Sequence, residues 1–324
     1  MKSRTLRSGL SLTELGFGAA QLGNLARATT DDEAAGAVAT AYDRGIRYFD
    51  TAPHYGLGLS ERRLGAALAA YPRDEFVLST KVGRLIVPNE SYDGSARDDE
   101  GFDVPADLRR RFDLSRDGIR RSIDESLERL GLDRIDIAYL HDPDAYGREA
   151  HAEAIPALIE LRDEGVVRAI GAGMNQSAMP AEFVLRHDID LIMLAGRYTL
   201  LEQGALDDLL PAAAERGVGI VAAGVYNSGL LSRPRPPVDA RYDYAQAPAE
   251  VIARANAIAD VCEAFGVTLP EAALAFALRH PSVVAVVVGM RTADQVEQTI
   301  ERHAVEVPDE LWSTLAGRGL LRDA

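Results

Sequence analysis

Asp50-Thr51-Ala52-Pro53-His54-Tyr55-Gly56 is the stretch on which the reading of this chain turns. Ahead of it, Gly45-Ile46-Arg47-Tyr48-Phe49 is short, mostly apolar and β-branched or aromatic, and reads as a buried strand. Asp50 therefore stands where a strand ends, and Pro53 and Gly56 turn the chain into a loop. Such a carboxylate and phenol are either a turn-forming Asp with a tyrosine over it or part of a site. The next two strands favour the site. Phe76-Val77-Leu78-Ser79-Thr80-Lys81 ends on Lys81, and Ile135-Asp136-Ile137-Ala138-Tyr139-Leu140-His141 ends on His141. In a parallel barrel, neighbouring strand ends lie side by side, and reactive groups gather on that C-terminal rim. One buried lysine or histidine is ordinary core; three successive strand ends carrying Asp, Lys and His are not.

This set suits redox chemistry at a carbonyl. A free tyrosine, with a pKa near ~10, moves protons poorly at neutral pH, and a nearby ammonium favours the phenolate. Lys81 is expected to supply that charge, Asp50 to hold Lys81, and His141 to hydrogen-bond the substrate oxygen. With one cysteine and no HxxxH or CxxC spacing, metal and thiol chemistry are not expected.

In this order on successive strands, Asp50, Tyr55, Lys81 and His141 resemble the catalytic tetrad of the aldo-keto reductases. The run Tyr55-Gly56-Leu57-Gly58-Leu59-Ser60-Glu61, closing on Leu64-Gly65, is similar to that family's segment after the tyrosine. Gly171-Ala172-Gly173-Met174-Asn175-Gln176, Ala195-Gly196-Arg197-Tyr198-Thr199-Leu200-Leu201 and Ala222-Ala223-Gly224-Val225-Tyr226-Asn227-Ser228-Gly229 resemble its sugar 1-dehydrogenase branch. The resemblance covers nearly the whole chain. It implies an enzyme that oxidises an aldose, as a cyclic hemiacetal, at its anomeric carbon to a lactone. Pyridoxal oxidised to its lactone is the alternative, general aldehyde reduction a third, and a non-catalytic nicotinamide sensor a fourth of a different class.

The 324 residues fit one α/β barrel domain, 1–324, with loop insertions, and 47% hydrophobic content supplies its core. A net charge of −15 argues against nucleic acid and anionic membrane surfaces. The single Cys262 points to a reducing, cytoplasmic compartment. No signal peptide is evident, and no apolar run reaches the roughly 20 residues of a membrane span. Oligomeric state is not readable.

The expected fold is a (β/α)8 TIM barrel with long rim loops and an N-terminal capping hairpin. Residues 2–12 read as the hairpin and Leu12 to Phe17 as the first barrel strand. Helices are expected over Asp31 to Arg44, Ser60 to Ala70, Ser115 to Leu130 and Ala152 to Glu164, the third from apolar Ile119, Ile123, Leu127 and Leu130 on one face. Ser60-Glu61 reads as an ordinary helix cap. Arg84 to Asp113 lacks periodicity and reads as an irregular loop covering the substrate. After His141, Asp142 and Asp144 read as turn formers or as groups for sugar hydroxyls. Residues 225–248 form a second long loop, and Ser282 to Gly289, nearly all Val and Ala, reads as the last buried strand.

Two glycine patterns, at Gly56 and Gly171, lack the third glycine and the helix of a dinucleotide fingerprint. A better phosphate site is Gly289-Met290-Arg291-Thr292-Ala293-Asp294-Gln295, running from a strand end into a helix whose Thr292 and Gln295 resemble a capping box. The resemblance implies NAD(P) bound there, with Asn175 on the nicotinamide carboxamide and Gly18, Ala223, Gly224, Gly289, Arg291 and Gln295 lining the cofactor. Ala195, Ala223 and Thr299 stand where the family often has Gln, Tyr and Asn. Gln295 stands where NADP-preferring members have Arg, so NAD is expected, with NADP accommodated through Arg291.

Overall fold

Strands rich in Val, Ile, Leu and Ala have both faces to bury, and a closed parallel sheet wrapped in helices does this. In the computed structural model, which describes residues 1–243 and 245–322, eight such strands close a barrel. They are β1 (Leu15–Gly18), β2 (Tyr48–Asp50), β3 (Val77–Val82), β4 (Ile137–His141), β5 (Ala169–Met174), β6 (Leu191–Ala195), β7 (Gly219–Ala223) and β8 (Val283–Gly289). Each pairs in parallel with its sequence neighbour, and β8 closes on β1. The outer layer holds α1 (Asp31–Asp43), α2 (Leu59–Leu68), α3 (Arg116–Leu130), α4 (Ile155–Asp163), α5 (Ala178–Arg186), α6 (Leu209–Arg216), α7 (Ala249–Ala264), α8 (Leu269–Ala277), α9 (Ala293–His303) and α10 (Asp309–Gly317). No helix among the described residues is long and apolar enough to cross a membrane.

The helices form for local reasons. Thr30 and Glu33 make a reciprocal capping box on α1, and Ser115 caps α3 through the Gly118 N–H at 3.1 Å. Ile119, Ile123 and Leu130 are buried on the inner face of α3, which stops at Gly131, where φ is +64°.

The amino-terminal hairpin pairs Ser3–Thr5 with Ser11–Thr13. Its Leu6, Leu10 and Leu12 plug the bottom of the barrel against Val77, Ile137, Leu191 and Val284. Arg4 ties it down by donating to the Val283 and Leu278 carbonyls at 2.6 and 3.0 Å. The hairpin thus takes Ser11–Thr13, and the first barrel strand begins at Leu15 rather than Leu12.

Three further expectations are corrected. Arg84 to Asp113 is not irregular throughout: Arg84–Pro88 and Leu108–Phe112 pair as an antiparallel hairpin. Its legs lie too far apart for a turn signature, and three arginines in the second leg mask its strand character. The helix expected from Ala152 is a short turn, Gly147–Glu149, a π-turn, Ala150–Ala154, and then α4. Pro156, which has no N–H to donate to the preceding turn, accounts for the widening. Within 225–248, Arg241–Tyr242 pairs with Ala245–Gln246.

Two buried aspartates lock the lower rim. Asp136 Oδ2 accepts from the Leu78 N–H at 2.9 Å and from Arg73 at 2.6 Å. Asp190 Oδ2 repeats the arrangement with the Ile170 N–H at 3.0 Å and Arg162 at 3.1 Å. Each carboxylate takes up a strand-start N–H that has no ladder partner. Asp136→Ala leaves that N–H and the Arg73 charge unpaired, so it is expected to cost about 3–5 kcal/mol in urea unfolding. A loss under about 1 kcal/mol, the scale of an exposed ion pair, would contradict this account.

Candidate active site

The parallel register places the strand ends together. Gly18 lies beside Asp50, Asp50 beside Ser79, and His141 beside Gly173. Asp50, Lys81 and His141 are buried, and Lys81 Nζ donates to Asp50 Oδ2 at 2.7 Å and to the Thr51 carbonyl at 3.0 Å. The second carboxylate oxygen of Asp50 accepts from Ser79 Oγ at 2.7 Å. Below it, the Tyr48 and Tyr139 hydroxyls stand 3.0 Å apart, and Ser79 reaches Tyr48 at 3.2 Å. The polar group at the top of the barrel axis is thus hydrogen-bonded down into the core.

Tyr55 is delivered by the turn after β2. Gly56 has φ +62°, and a Cβ there would lie 2.2 Å from the Gly23 carbonyl oxygen, so only glycine fits. Ser60 and Glu61 brace this segment rather than cap α2, whose N-cap is Gly58 with no side-chain bond. Ser60 Oγ donates to the Ala19 carbonyl at 2.7 Å and meets Thr51 Oγ1 at 2.8 Å. Glu61, fully buried, accepts from Thr80 Oγ1 at 2.8 Å and from Arg129 at 2.6 Å. Lys81 Nζ lies 4.7 Å from the centre of the Tyr55 ring, and the His141 ring stands edge-on to it at 6.0 Å.

Burial and charge set the protonation states. Burial drives the His141 pKa well below its usual value, and the Arg84 and Lys81 charges drive it further, so the imidazole is neutral. Burial opposes the Lys81 charge, but the Asp50 carboxylate and Tyr55 outweigh it and raise the Lys81 pKa. Burial also raises the pKa of Asp50, with partial offset from Lys81. These shifts oppose one another on the charge of the pair; the short contact and the Ser79 donor favour the ionised form. The expected lowering of the Tyr55 pKa is not the net result. Burial raises it, and the Lys81 ammonium offsets only part of the rise.

These groups open onto a cleft of about 440 Å³. One wall is small and flat: Gly18, Gly173, Ala195, Ala223, Gly224 and Gly289, with Asn175 at the rim. The other wall is charged: Arg84, Glu100 and Asp142, beside His54 and Phe102. Arg84 Nη2 donates to Asp142 at 2.8 Å. Asp144, by contrast, is exposed and bonds Gln176 at 3.2 Å outside the cleft. The Arg84–Asp113 segment is docked on the rim. Its Phe102 and Val104 pack with Leu57, Leu25 and Tyr55, and the buried Arg110–Asp98 pair holds the His54 carbonyl through Arg110 Nη2 at 2.9 Å.

Residues 14–317 match the model of the aldo/keto reductase family. The chain belongs to the aldo/keto reductase family. It is 53% identical over 316 residues to a D-threo-aldose 1-dehydrogenase of a Pseudomonas species, covering 97% of this chain and 96% of that protein. A pyridoxal 4-dehydrogenase of Microbacterium luteolum is 39% identical, with the same coverage. An aldo-keto reductase from Bacillus halodurans in its holo form superposes with a TM-score of 0.78 at 29% identity, over 100% of this chain and 97% of that one. This aldo/keto reductase is therefore an NAD(P)-dependent oxidoreductase acting on carbonyl or carbinol groups.

The flat wall fits a nicotinamide cofactor. Gln21 has a buried Oε1 with no hydrogen-bond partner among the described residues, against Gly289, where a Cβ would lie 2.4 Å from the Gln21 amide nitrogen. Arg291 and Gln295 do not line this cleft. Arg291 turns inward and donates to the Leu25 carbonyl at 2.6 Å, the Arg27 carbonyl at 2.8 Å and Thr29 Oγ1. Gln295 is half of the expected capping box: its N–H donates to Thr292 Oγ1 at 3.3 Å, but its side chain accepts from the Arg291 N–H at 2.8 Å. Thr299 Oγ1 donates to the Gln295 carbonyl at 2.7 Å. Arg84, His54, Glu100 and Phe102 were not singled out from sequence; three of them lie in or beside the lid, where nothing local says which side chain turns inward. Arg291→Ala is expected to raise hydrogen exchange across residues 24–30, because two loop carbonyls lose a charged donor. Unchanged protection would show that the loop does not depend on Arg291.

Proposed function

We propose that this aldo/keto reductase oxidises aldoses, as cyclic hemiacetals, at the anomeric carbon to lactones, with Tyr55 carrying the proton. The observation that carries this reading is the pairing of Tyr55, Lys81 and neutral His141 with a charged opposite wall of Arg84, Glu100 and Asp142. A polyhydroxylated substrate suits that wall better than an apolar aldehyde does. The similarity to a D-threo-aldose 1-dehydrogenase supports it.

When bound, the nicotinamide supplies the acceptor for the hydride lost from the anomeric carbon, which leaves a lactone. The residues of the chain do the rest. Asn175, at the rim, is the group for the cofactor carboxamide. His141, uncharged, donates one N–H to the substrate oxygen and orients it. Tyr55 in its phenolate form takes the hydroxyl proton, and the Lys81 ammonium, held by Asp50, stabilises that phenolate. Reduction runs with Tyr55 as the proton donor. NAD is favoured over NADP, because the Arg291 charge is already taken up by the Leu25–Thr29 loop and Gln295 is neutral. Pyridoxal is the second reading, supported by the Phe102 ring 6.0 Å from Tyr55 and by the 39% identical relative.

Three outcomes follow. Reduced-nicotinamide absorbance should grow with NAD and at least one of L-fucose, D-arabinose and L-galactose; growth with pyridoxal alone would move the assignment to the second reading. Tyr55→Phe should lower kcat by about 10²–10⁴-fold with cofactor affinity retained, and near-wild-type turnover would refute the proton role. Because the Tyr55 pKa is raised and oxidation uses the phenolate, kcat for oxidation should climb with pH through the alkaline range. A limb near the ordinary histidine value of about 6.5 that vanishes in His141→Gln would contradict the neutral imidazole.

A further inference from the structure

The charged wall contains a carboxylate with no short hydrogen bond among the described residues. Glu100 sits at the inner edge of the docked lid, lines the cleft, and leaves 45% of its side chain open. Its neighbours stop short of hydrogen-bond distance. His54 Nδ1 lies 3.6 Å from Oε2, Arg84 Nη1 3.9 Å from Oε2, and Arg110 Nη1 3.6 Å from Oε1. Arg84 and Arg110 make their short contacts elsewhere, on Asp142 and Asp98, and reach Glu100 only as longer ion-pair contacts. His54 Nδ1 is buried and has no hydrogen-bond partner among the described residues.

The arrangement has a chemical sense. A carboxylate only accepts hydrogen bonds and a guanidinium only donates them, whereas a hydroxyl does both. A hydroxyl placed beside Glu100 donates to Oε1 or Oε2 and accepts from Arg84, or from His54 in the tautomer that carries its proton on Nδ1. The gaps of 3.6 and 3.9 Å are too long for direct bonds yet leave the hydrogen-bonding capacity of both sides in place. A carbonyl compound without hydroxyls cannot supply the donor. His54 faces the lid between Phe102, at 5.3 Å, and the His141 ring, at 5.4 Å, so this acceptor lies on the substrate side of the reacting groups.

We propose that Glu100 is a specificity-determining residue, accepting hydrogen bonds from hydroxyls on substrate carbons beyond the reacting one, with Arg84 and His54 as the complementary cleft-lining groups. This rests on the aldose reading above. It assigns the recognition of polyols to one lid side chain, and it separates recognition from the proton chemistry at Tyr55.

The test is steady-state kinetics of wild type, Glu100→Ala and Glu100→Gln with the best aldose of the panel, its 2-deoxy and 3-deoxy analogues, and a hydroxyl-free aldehyde assayed in the reductive direction. Removing a charged hydrogen-bond acceptor is expected to lower kcat/KM for the parent aldose about 10–100-fold, mainly through KM, in Glu100→Ala. Glu100→Gln, which keeps one acceptor oxygen, should recover part of that loss. At least one deoxy analogue should already be slow with wild type and lose less than about threefold more in Glu100→Ala, the non-additivity of a broken contact. Cofactor affinity should be unchanged in both variants. Equal losses for every substrate, or none for the parent aldose, would overturn the assignment while leaving the aldose reading intact. Wild type silent with all aldoses but active on the hydroxyl-free aldehyde would overturn both.

Discussion

The structure turns on burying one ammonium beside one carboxylate. Lys81 and Asp50 meet at 2.7 Å, and each is about 2% exposed. Removing two such ions from water costs several kcal/mol apiece, recovered only where geometry and further hydrogen bonds are good. Here they are supplied by strand order. Ser79, the neighbour of Asp50 in the β2–β3 ladder, satisfies the second carboxylate oxygen, and the Thr51 carbonyl takes a second Lys81 proton. The barrel below is a plug of leucine, valine and paired tyrosines that offers the ion pair no further charge from beneath. The ammonium is left facing Tyr55, where it can favour the phenolate.

What was legible in the sequence follows the range of the interactions. Asp50, Lys81 and His141 could be read because each ends its own strand, and a parallel barrel converts strand order into adjacency. Asn175, one residue past the end of β5, is singled out only by the resemblance to the family. Arg291 shows the limit of that reading. A strand end, an arginine and a capped helix have the same local signature whether the guanidinium faces a phosphate or turns inward. The choice is made by the Leu25, Arg27 and Thr29 oxygens, more than 250 residues away in the chain. The lid hairpin failed for a related reason: its register depends on docking against Leu25 and Tyr55, not on a local turn. Glu100 was invisible because the direction of a loop carboxylate is set only after that docking.

The two walls of the cleft divide the labour. The flat wall of glycine and alanine suits a planar, rigid group, with polar contacts confined to its rim. The charged wall is built from the lid and the β4 end, and its cations are each tethered to a buried or half-buried carboxylate. Charges held this way are fixed in position in advance, as preorganised dipoles are. Burial, with the nearby Arg84, Arg110 and Lys81 charges adding to it, lowers the pKa of His54 to about 2 and keeps His141 neutral, so both imidazoles serve as fixed dipoles.

The charge on Lys81 can be measured directly, because the chain has only two lysines, Lys2 and Lys81. In protein labelled with ¹⁵N at the lysine side chain, two Nζ resonances can be followed through an alkaline titration. An ordinary lysine ammonium loses its proton near about 10.4. The account predicts that Lys81 keeps its ammonium shift beyond that point, held by Asp50. Deprotonation of Lys81 at or below that ordinary value would mean that burial outweighs Asp50, and the ion pair could not be what supports the Tyr55 phenolate.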